Sequence, residues 1–173
     1  PVVKSATRRA LCLGVNLATA FLAAAVVDLF QTTIDKIVLL AVLMPVVPSM
    51  GGVAGSQSLT IITRAIALGQ INRANARGIL RKEVAVGVLN GCGWAVVVAL
   101  VTFFWFGDWR IGAIIGAAMI INLVLAAVAG YSIPLILRRL GVDPALAGGV
   151  VLTTVTDVVG YMAFLGLGAI FLL

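Results

Sequence analysis

Of the six acidic residues in this 173-residue chain, one stands where a carboxylate is expensive. Asp28, Asp35, Asp108 and Asp143 fall at the ends of apolar runs or in the joints between them, and Glu83 sits beside Arg81 and Lys82 where a run begins. Asp157 instead lies deep within "GGVVLTTVTDVVGYMAFLGLGAIFLL". A charged side chain at bilayer depth costs at least about 2.5–3.5 kcal/mol, so it should face a cavity, a cation or a partner. No Lys or Arg lies at that depth to pair with it. Thr153 precedes Asp157 by four residues and shares its helical face, Thr154 lies one residue further round, and Gly160 and Tyr161 follow at the next turn. Carboxylate, hydroxyls and a backbone-exposing glycine make a hard, oxygen-rich face suited to Mg²⁺, Mn²⁺ or Ca²⁺, with Asp157 and Thr153 as the candidate metal residues. The chain has no His, and Cys12 and Cys92 lie in separate apolar runs, so neither a soft-metal site nor a disulfide is indicated. Each cysteine reads as a small packing residue. One carboxylate per chain is thin for a divalent ion, whereas two-fold association brings two Asp157 side chains to one axis. The neutral alternative is a protonated Asp157 hydrogen-bonded by Thr153, Thr154 or Thr156 in a packing role.

A second unusual stretch is "MPVVPSMGGVAGSQSLTIITR", from Met44 to Arg64. It belongs to an apolar run over residues 37–68, which as one straight helix would extend about 48 Å against a hydrocarbon core of about 30 Å. Pro45 and Pro48 lack amide donors, and Gly51, Gly52 and Gly55 tolerate conformations that other residues avoid. Broken backbone survives at membrane depth only against protein or water. The stretch therefore reads as a break lining an aqueous path, with Ser49, Ser56, Gln57, Ser58 and Thr60 offering polar groups to it. A proline-kinked helix whose glycines serve close packing is the competing reading.

The elements that must position these residues follow from composition. The chain is 62% hydrophobic and 10% charged, outside the usual globular mix, and its length is best measured in membrane spans. Apolar runs over about 11–30, 37–68, 84–106, 111–137 and 145–173 predict five helices. The first run has a basic flank but no small-residue cleavage site, so it reads as a true span of an excised fragment. Net charge is +6, yet the basic residues cluster at span ends without aromatic interleaving, which argues against nucleic acid. Lys4, Arg8, Arg9, Arg64, Arg73, Arg77, Arg81, Lys82, Arg138 and Arg139 fall on one side of a five-span topology, and only Lys36 and Arg110 on the other. By the positive-inside rule the N-terminus is cytoplasmic and the C-terminus outside. An odd span count and the lack of an internal repeat leave any symmetric pore to association between chains. Small residues four apart at Gly51 and Gly55, Gly87 and Gly91, and Gly112 and Gly116 predict close helix contacts.

At these residues the sequence resembles the transmembrane domain of the MgtE family of magnesium channels. "PVVPSMGGVAGSQSLTIITRAIALGQI", "RKEVAVGVLNG" and "GVDPALAGGVVLTTVTDVVGYMAFLGLGAIFLL" match its second, third and final helices in order, and the resemblance covers nearly the whole chain. It implies an all-α homodimer of five-helix subunits in the cell membrane, with a Mg²⁺ path at the interface lined by the second and fifth helices. Asp157 matches the family's pore-site aspartate, and the second-helix match covers Gly51, Gly52, Gly55, Ser56 and Gln57. Together with Thr154 and Gly160, these are the expected pore-lining residues. Val53 departs from the family, which usually has Asn there. Family members also carry cytosolic regulatory domains, including CBS domains, ahead of the first helix. None of these lies within residues 1–173, which read as an ion-channel domain alone.

Three functions remain in competition at the level of sequence. A passive divalent-cation channel, most simply for Mg²⁺, uses Asp157 as an ion site. An ion- or proton-coupled secondary transporter would use Asp157 as a carrier, but a proton relay usually needs more than one titratable group at depth. A membrane anchor for a cytosolic domain has little reason to keep a mid-membrane aspartate. No nucleophile and base pair or metal-ligand cluster points to an enzyme.

Overall fold

The computed structural model describes residues 1–172, and within them every regular element is an α-helix. The elements are α1 (Val2–Leu29), α2 (Gln31–Lys36), α3 (Val38–Leu43), α4 (Val46–Ala67), α5 (Ala76–Phe106), α6 (Trp109–Arg139) and α7 (Pro144–Leu172). Five of the helical stretches are long and apolar enough to cross a membrane: α1, Val38–Ala67, α5, α6 and α7. Helices are the expected solution, because each spanning segment then satisfies its own backbone polar groups. The first and third spans begin earlier than the apolar runs predict. Lys4, Arg8 and Arg9 are already helical in α1, and Arg77, Arg81 and Lys82 in α5. Hydropathy marks the apolar window of a helix, while the helix itself continues into water. Residue 173, which closes the last predicted run, lies outside the described residues.

The second span departs from regular helix at only one end of the stretch expected to break it. The interruption falls at Met44 and Pro45, where both backbones keep right-handed helical angles (φ −53°, ψ −40° and φ −70°, ψ −17°). From Val46 to Ala67 the helix runs unbroken through Gly51, Gly52 and Gly55. Pro48 fits because it lies in the first turn of α4, where amides have no intrahelical acceptor. The glycines therefore do not break the chain; they shape the surface of a continuous helix.

The centre of the bundle is α6, which packs against α4, α5 and α7. In its most apolar window 61% of residues are buried, against 11% in α1, which packs on α7 at the periphery. Glycine makes the tight contacts. A Cβ on Gly87 would stand 2.8 Å from the Ala127 Cβ, and one on Gly112 would stand 2.9 Å from the Ala99 carbonyl oxygen, so α5 and α6 meet at backbone distance. Leu40, Leu43, Val47, Ile111, Ile115 and Phe164 form a core toward one end of the bundle, and Ala129, Ile133, Leu137 and Leu152 form another toward the opposite end. The turns are short. Gly107 ends α5 at φ 72°, and the Asp108 carboxylate caps α6 by accepting from the Arg110 amide at 2.9 Å. Cys12 and Cys92 are both free and exposed on outer helix surfaces, so neither has the packing role their apolar setting suggested.

Candidate cation groove between α4 and α7

The periodicity of α4 gives it two faces of different composition. Val47, Pro48, Gly51, Gly55, Ser58 and Ile62 are buried, and the residue two further on is about 200° round the helix. That opposite side carries Ser49, Val53, Gln57 and Thr60, all exposed. Beside it stands Asp157 of α7, and between the two helices runs an open groove of about 710 Å³. From α4 its walls include Pro48, Ser49, Gly52, Val53, Ser56, Gln57, Thr60 and Ile61, and from α7 they include Thr153 and Asp157.

Two hydroxyls on these walls are arranged to accept rather than donate. Ser56 Oγ donates to the Gly52 carbonyl at 2.8 Å, and Thr153 Oγ1 donates to the Gly149 carbonyl at 2.8 Å. With its proton held by the preceding turn, each hydroxyl turns oxygen lone pairs outward. Thr154 Oγ1 donates to the Val150 carbonyl at 2.8 Å, and Thr156 Oγ1 divides its proton between the Leu152 and Thr153 carbonyls. All three threonine hydroxyls considered as donors to a protonated Asp157 are thus engaged with backbone. The carboxylate is left facing the groove, where its oxygens and the accepting hydroxyls of Ser56 and Thr153 suit a hard cation or the water around one.

The structure divides the residues expected to line a path. Gly52, Ser56, Gln57, Thr153 and Asp157 line the groove. Gly51, Gly55 and Gly160 are buried between helices instead. A Cβ on Gly51 would collide with the Asn122 amide of α6, one on Gly55 would stand 2.7 Å from Leu152 Cδ1, and one on Gly160 would stand 2.9 Å from Pro48 Cγ. Thr154 is half-buried and is not part of the groove wall. The glycines of the stretch divide accordingly: Gly51 and Gly55 serve close packing, and Gly52 faces the groove. Ser58 also turns away from the groove, and its hydroxyl donates to Glu83 of α5 at 2.7 Å.

Two polar residues of consequence escaped the sequence reading. Asn122 is fully buried in α6, and its Nδ2 donates to the Val47 carbonyl of α4 at 2.9 Å. Its signal was available as a lone carboxamide in "GAAMIINLVLAA". Glu83 reads in sequence as a charge at the mouth of a span, yet it is only 8% exposed. No linear pattern separates a carboxylate that turns inward from one that turns to solvent.

Comparison with known proteins identifies the family. The chain matches the MgtE family model, described as a divalent cation transporter, over residues 44–167. It is 27% identical to a magnesium transporter MgtE of Bacillus subtilis over 97% of this chain and 37% of that protein. A magnesium transporter MgtE of Thermus thermophilus is 29% identical over 92% of this chain and 35% of its own length, and one of Enterococcus faecalis is 26% identical over 98% and 38%. The chain thus spans little more than a third of the length of these relatives. The family is one of transporters, not enzymes. With five apolar spans and a family match over residues 44–167, from α4 through most of α7, this multi-pass membrane protein belongs to the MgtE divalent cation transporter family.

Proposed function

We propose that the chain conducts Mg²⁺ passively, down its electrochemical gradient, through a path between two copies of itself, each contributing α4 and α7. The observation that carries this reading is the position of Asp157 and Thr153 across an open groove from the hydroxyl and amide row of α4. A groove open on one side is half of a conduit. A two-fold mate supplies the missing wall and a second Asp157, so two carboxylates match one divalent charge. The relatives' magnesium specificity is carried over to this chain on that basis. Mn²⁺ and Ca²⁺ satisfy the same hard-oxygen chemistry. Mg²⁺ gives up water reluctantly, so the ion passes Asp157 at least partly hydrated, its waters held by carboxylate and by carbonyls near Thr153. The ten basic residues on one set of joints support a cytoplasmic N-terminus and an outside C-terminus.

A coupled transporter is the second reading, because the buried Glu83 is another ionisable group within a span. One experiment addresses both. Purified protein is reconstituted in liposomes, and Mg²⁺ flux is followed with and without an imposed pH gradient. Asp157→Ala should remove nearly all flux while the protein stays folded and dimeric. Asp157→Asn, which keeps size and polarity, separates charge from shape. Wild-type flux in both variants sinks the site, and flux that stops without a proton gradient favours the coupled transporter.

A further inference from the structure

Among the described residues, three side-chain hydrogen bonds cross between spans: Asn122 to the Val47 carbonyl, Ser58 to Glu83, and Tyr131 to the Ala76 carbonyl. Two of the three hold α4. Val47 and Ser58 are eleven residues apart, about three turns, so the two attachments lie along one line on the buried face. That line is opposite the groove. Packing fixes how closely α4 approaches its neighbours through Gly51, Gly55 and Ser58, with Val47, Pro48 and Ile62 as the larger side chains on the same buried face. Two directional bonds add to that packing.

The Ser58–Glu83 bond carries this argument further than the other. It is short, at 2.7 Å, and both residues are more than nine-tenths buried. It joins α4 directly to α5, whereas the main neighbours of α4 are α6 and α7. At the same turn Gly130 of α6 comes so close that an added Cβ would stand 2.6 Å from the Ser58 Cβ and 2.8 Å from the Gly55 carbonyl oxygen. Three helices therefore meet at Ser58. Glu83 is also an expensive residue to place there, because a buried carboxyl is costly and no cation engages it. The one ion pair among the described residues joins Arg110 to Asp108. The bond to a neutral hydroxyl is what Glu83 has in exchange.

We propose that Ser58 and Glu83 are a positioning pair that fixes the rotation of α4 and so points Val53, Ser56 and Thr60 into the groove. Neither residue touches the ion. The proposal rests on the groove being the ion path, and its test separates the two ideas by reading helix rotation without transport. In a chain whose Cys12 and Cys92 are replaced by Ser, a single cysteine is placed at Val53 or at Thr60, and its labelling by a water-soluble maleimide is timed in proteoliposomes. Glu83→Leu and Ser58→Ala should each slow labelling at both positions by about tenfold, an effect of the size expected between directly bonded groups. The double variant should be no slower than either single, and Glu83→Gln, which still accepts from Ser58, should restore labelling to within about twofold of wild type. Mg²⁺ flux measured in parallel should fall and recover with labelling, through maximal rate rather than apparent affinity. Unchanged labelling in both Ser58→Ala and Glu83→Leu overturns the pair, as do losses that multiply in the double variant or a Glu83→Gln variant as slow as Glu83→Leu. Should Glu83→Leu fail to fold, Ser58→Ala and Glu83→Gln still decide the matter. Labelling that follows these expectations while flux stays at the wild-type level upholds the pair and counts against the groove as the ion path.

Discussion

Gly51 and Gly52 are neighbours in sequence and opposites in surroundings. Gly51 is buried, and any side chain there would run into the Asn122 carboxamide, which is itself held by the Val47 carbonyl. Gly52 lines the groove, and the nearest atom a Cβ would meet is Thr156 Oγ1 at 3.9 Å, an ordinary contact. One glycine exists so that a helix can approach; the other leaves a space unfilled. A 100° turn of the helix separates the two roles. The same residue type therefore means packing on one face of α4 and open space on the other, and only the three-dimensional register tells them apart.

The largest effect that sharpens this contrast is expected at Gly51. Gly51→Ala must displace a buried amide from its hydrogen bond, and overpacking of this kind costs about 1–3 kcal/mol. Gly51→Leu should leave little folded protein. Gly52→Ala meets no obstacle and gains helix propensity of up to about 1 kcal/mol in the soluble scale, so its melting temperature should equal or exceed that of wild type. Thermal unfolding in detergent, followed by size-exclusion peak height, measures both. Equal destabilisation at the two positions would erase the distinction between the faces.

Much of this architecture was legible before the structure, and the reasons differ by level. Five spans follow from apolar length, a property the bilayer imposes on any sequence. Asp157 was legible because a lone mid-span carboxylate is costly enough to need a reason. The glycines were not separable, since sequence records spacing but not which side of a helix meets a neighbour. The span break was expected across Pro45, Pro48 and the glycines, and the interruption lies at Met44 and Pro45 alone. In lipid there is little reason for a helix to end at glycine, because an unwound backbone would find no water to satisfy it. Ser58 was read as facing an aqueous path and Glu83 as a charge at the start of a span, yet their mutual bond, 25 residues apart in sequence, turns them inward. A long-range pair of this kind leaves no periodic signature.

The next effect in size is on transport without loss of fold. Gly52→Leu puts four carbons into the groove beside Ser56 and across from Thr153 and Asp157. A hydrated ion needs that width, so flux should fall at least about tenfold while the melting temperature and dimer content stay near wild type, the opposite balance to Gly51→Leu. Flux assays and crosslinking on one preparation give both numbers. If Gly52→Leu loses the dimer first, its face is a packing surface like that of Gly51 and the comparison collapses.

The smallest expected effect is at Val53, which tests how closely the groove wall contacts the ion's water. Val53 is 58% exposed and lines the groove where family members usually carry Asn. Its isopropyl group offers no hydrogen bond to a hydrated cation. Val53→Asn adds a carboxamide whose oxygen accepts from a coordinated water and whose volume differs little, so neither fold nor groove width should change. One added hydrogen bond is worth about 0.5–1.5 kcal/mol, equivalent to about a two- to tenfold gain in apparent Mg²⁺ affinity. Ca²⁺ sheds water more readily and takes more flexible coordination, so a contact made through a held water should favour it less, and the ratio of Mg²⁺ to Ca²⁺ flux should rise. Initial rates in liposomes across a range of each ion read both quantities. A gain in affinity with an unchanged ratio would mean that the ion passes Val53 by charge alone, and no change in either would turn that residue toward lipid or a partner helix, narrowing the path to Gly52, Ser56, Thr153 and Asp157.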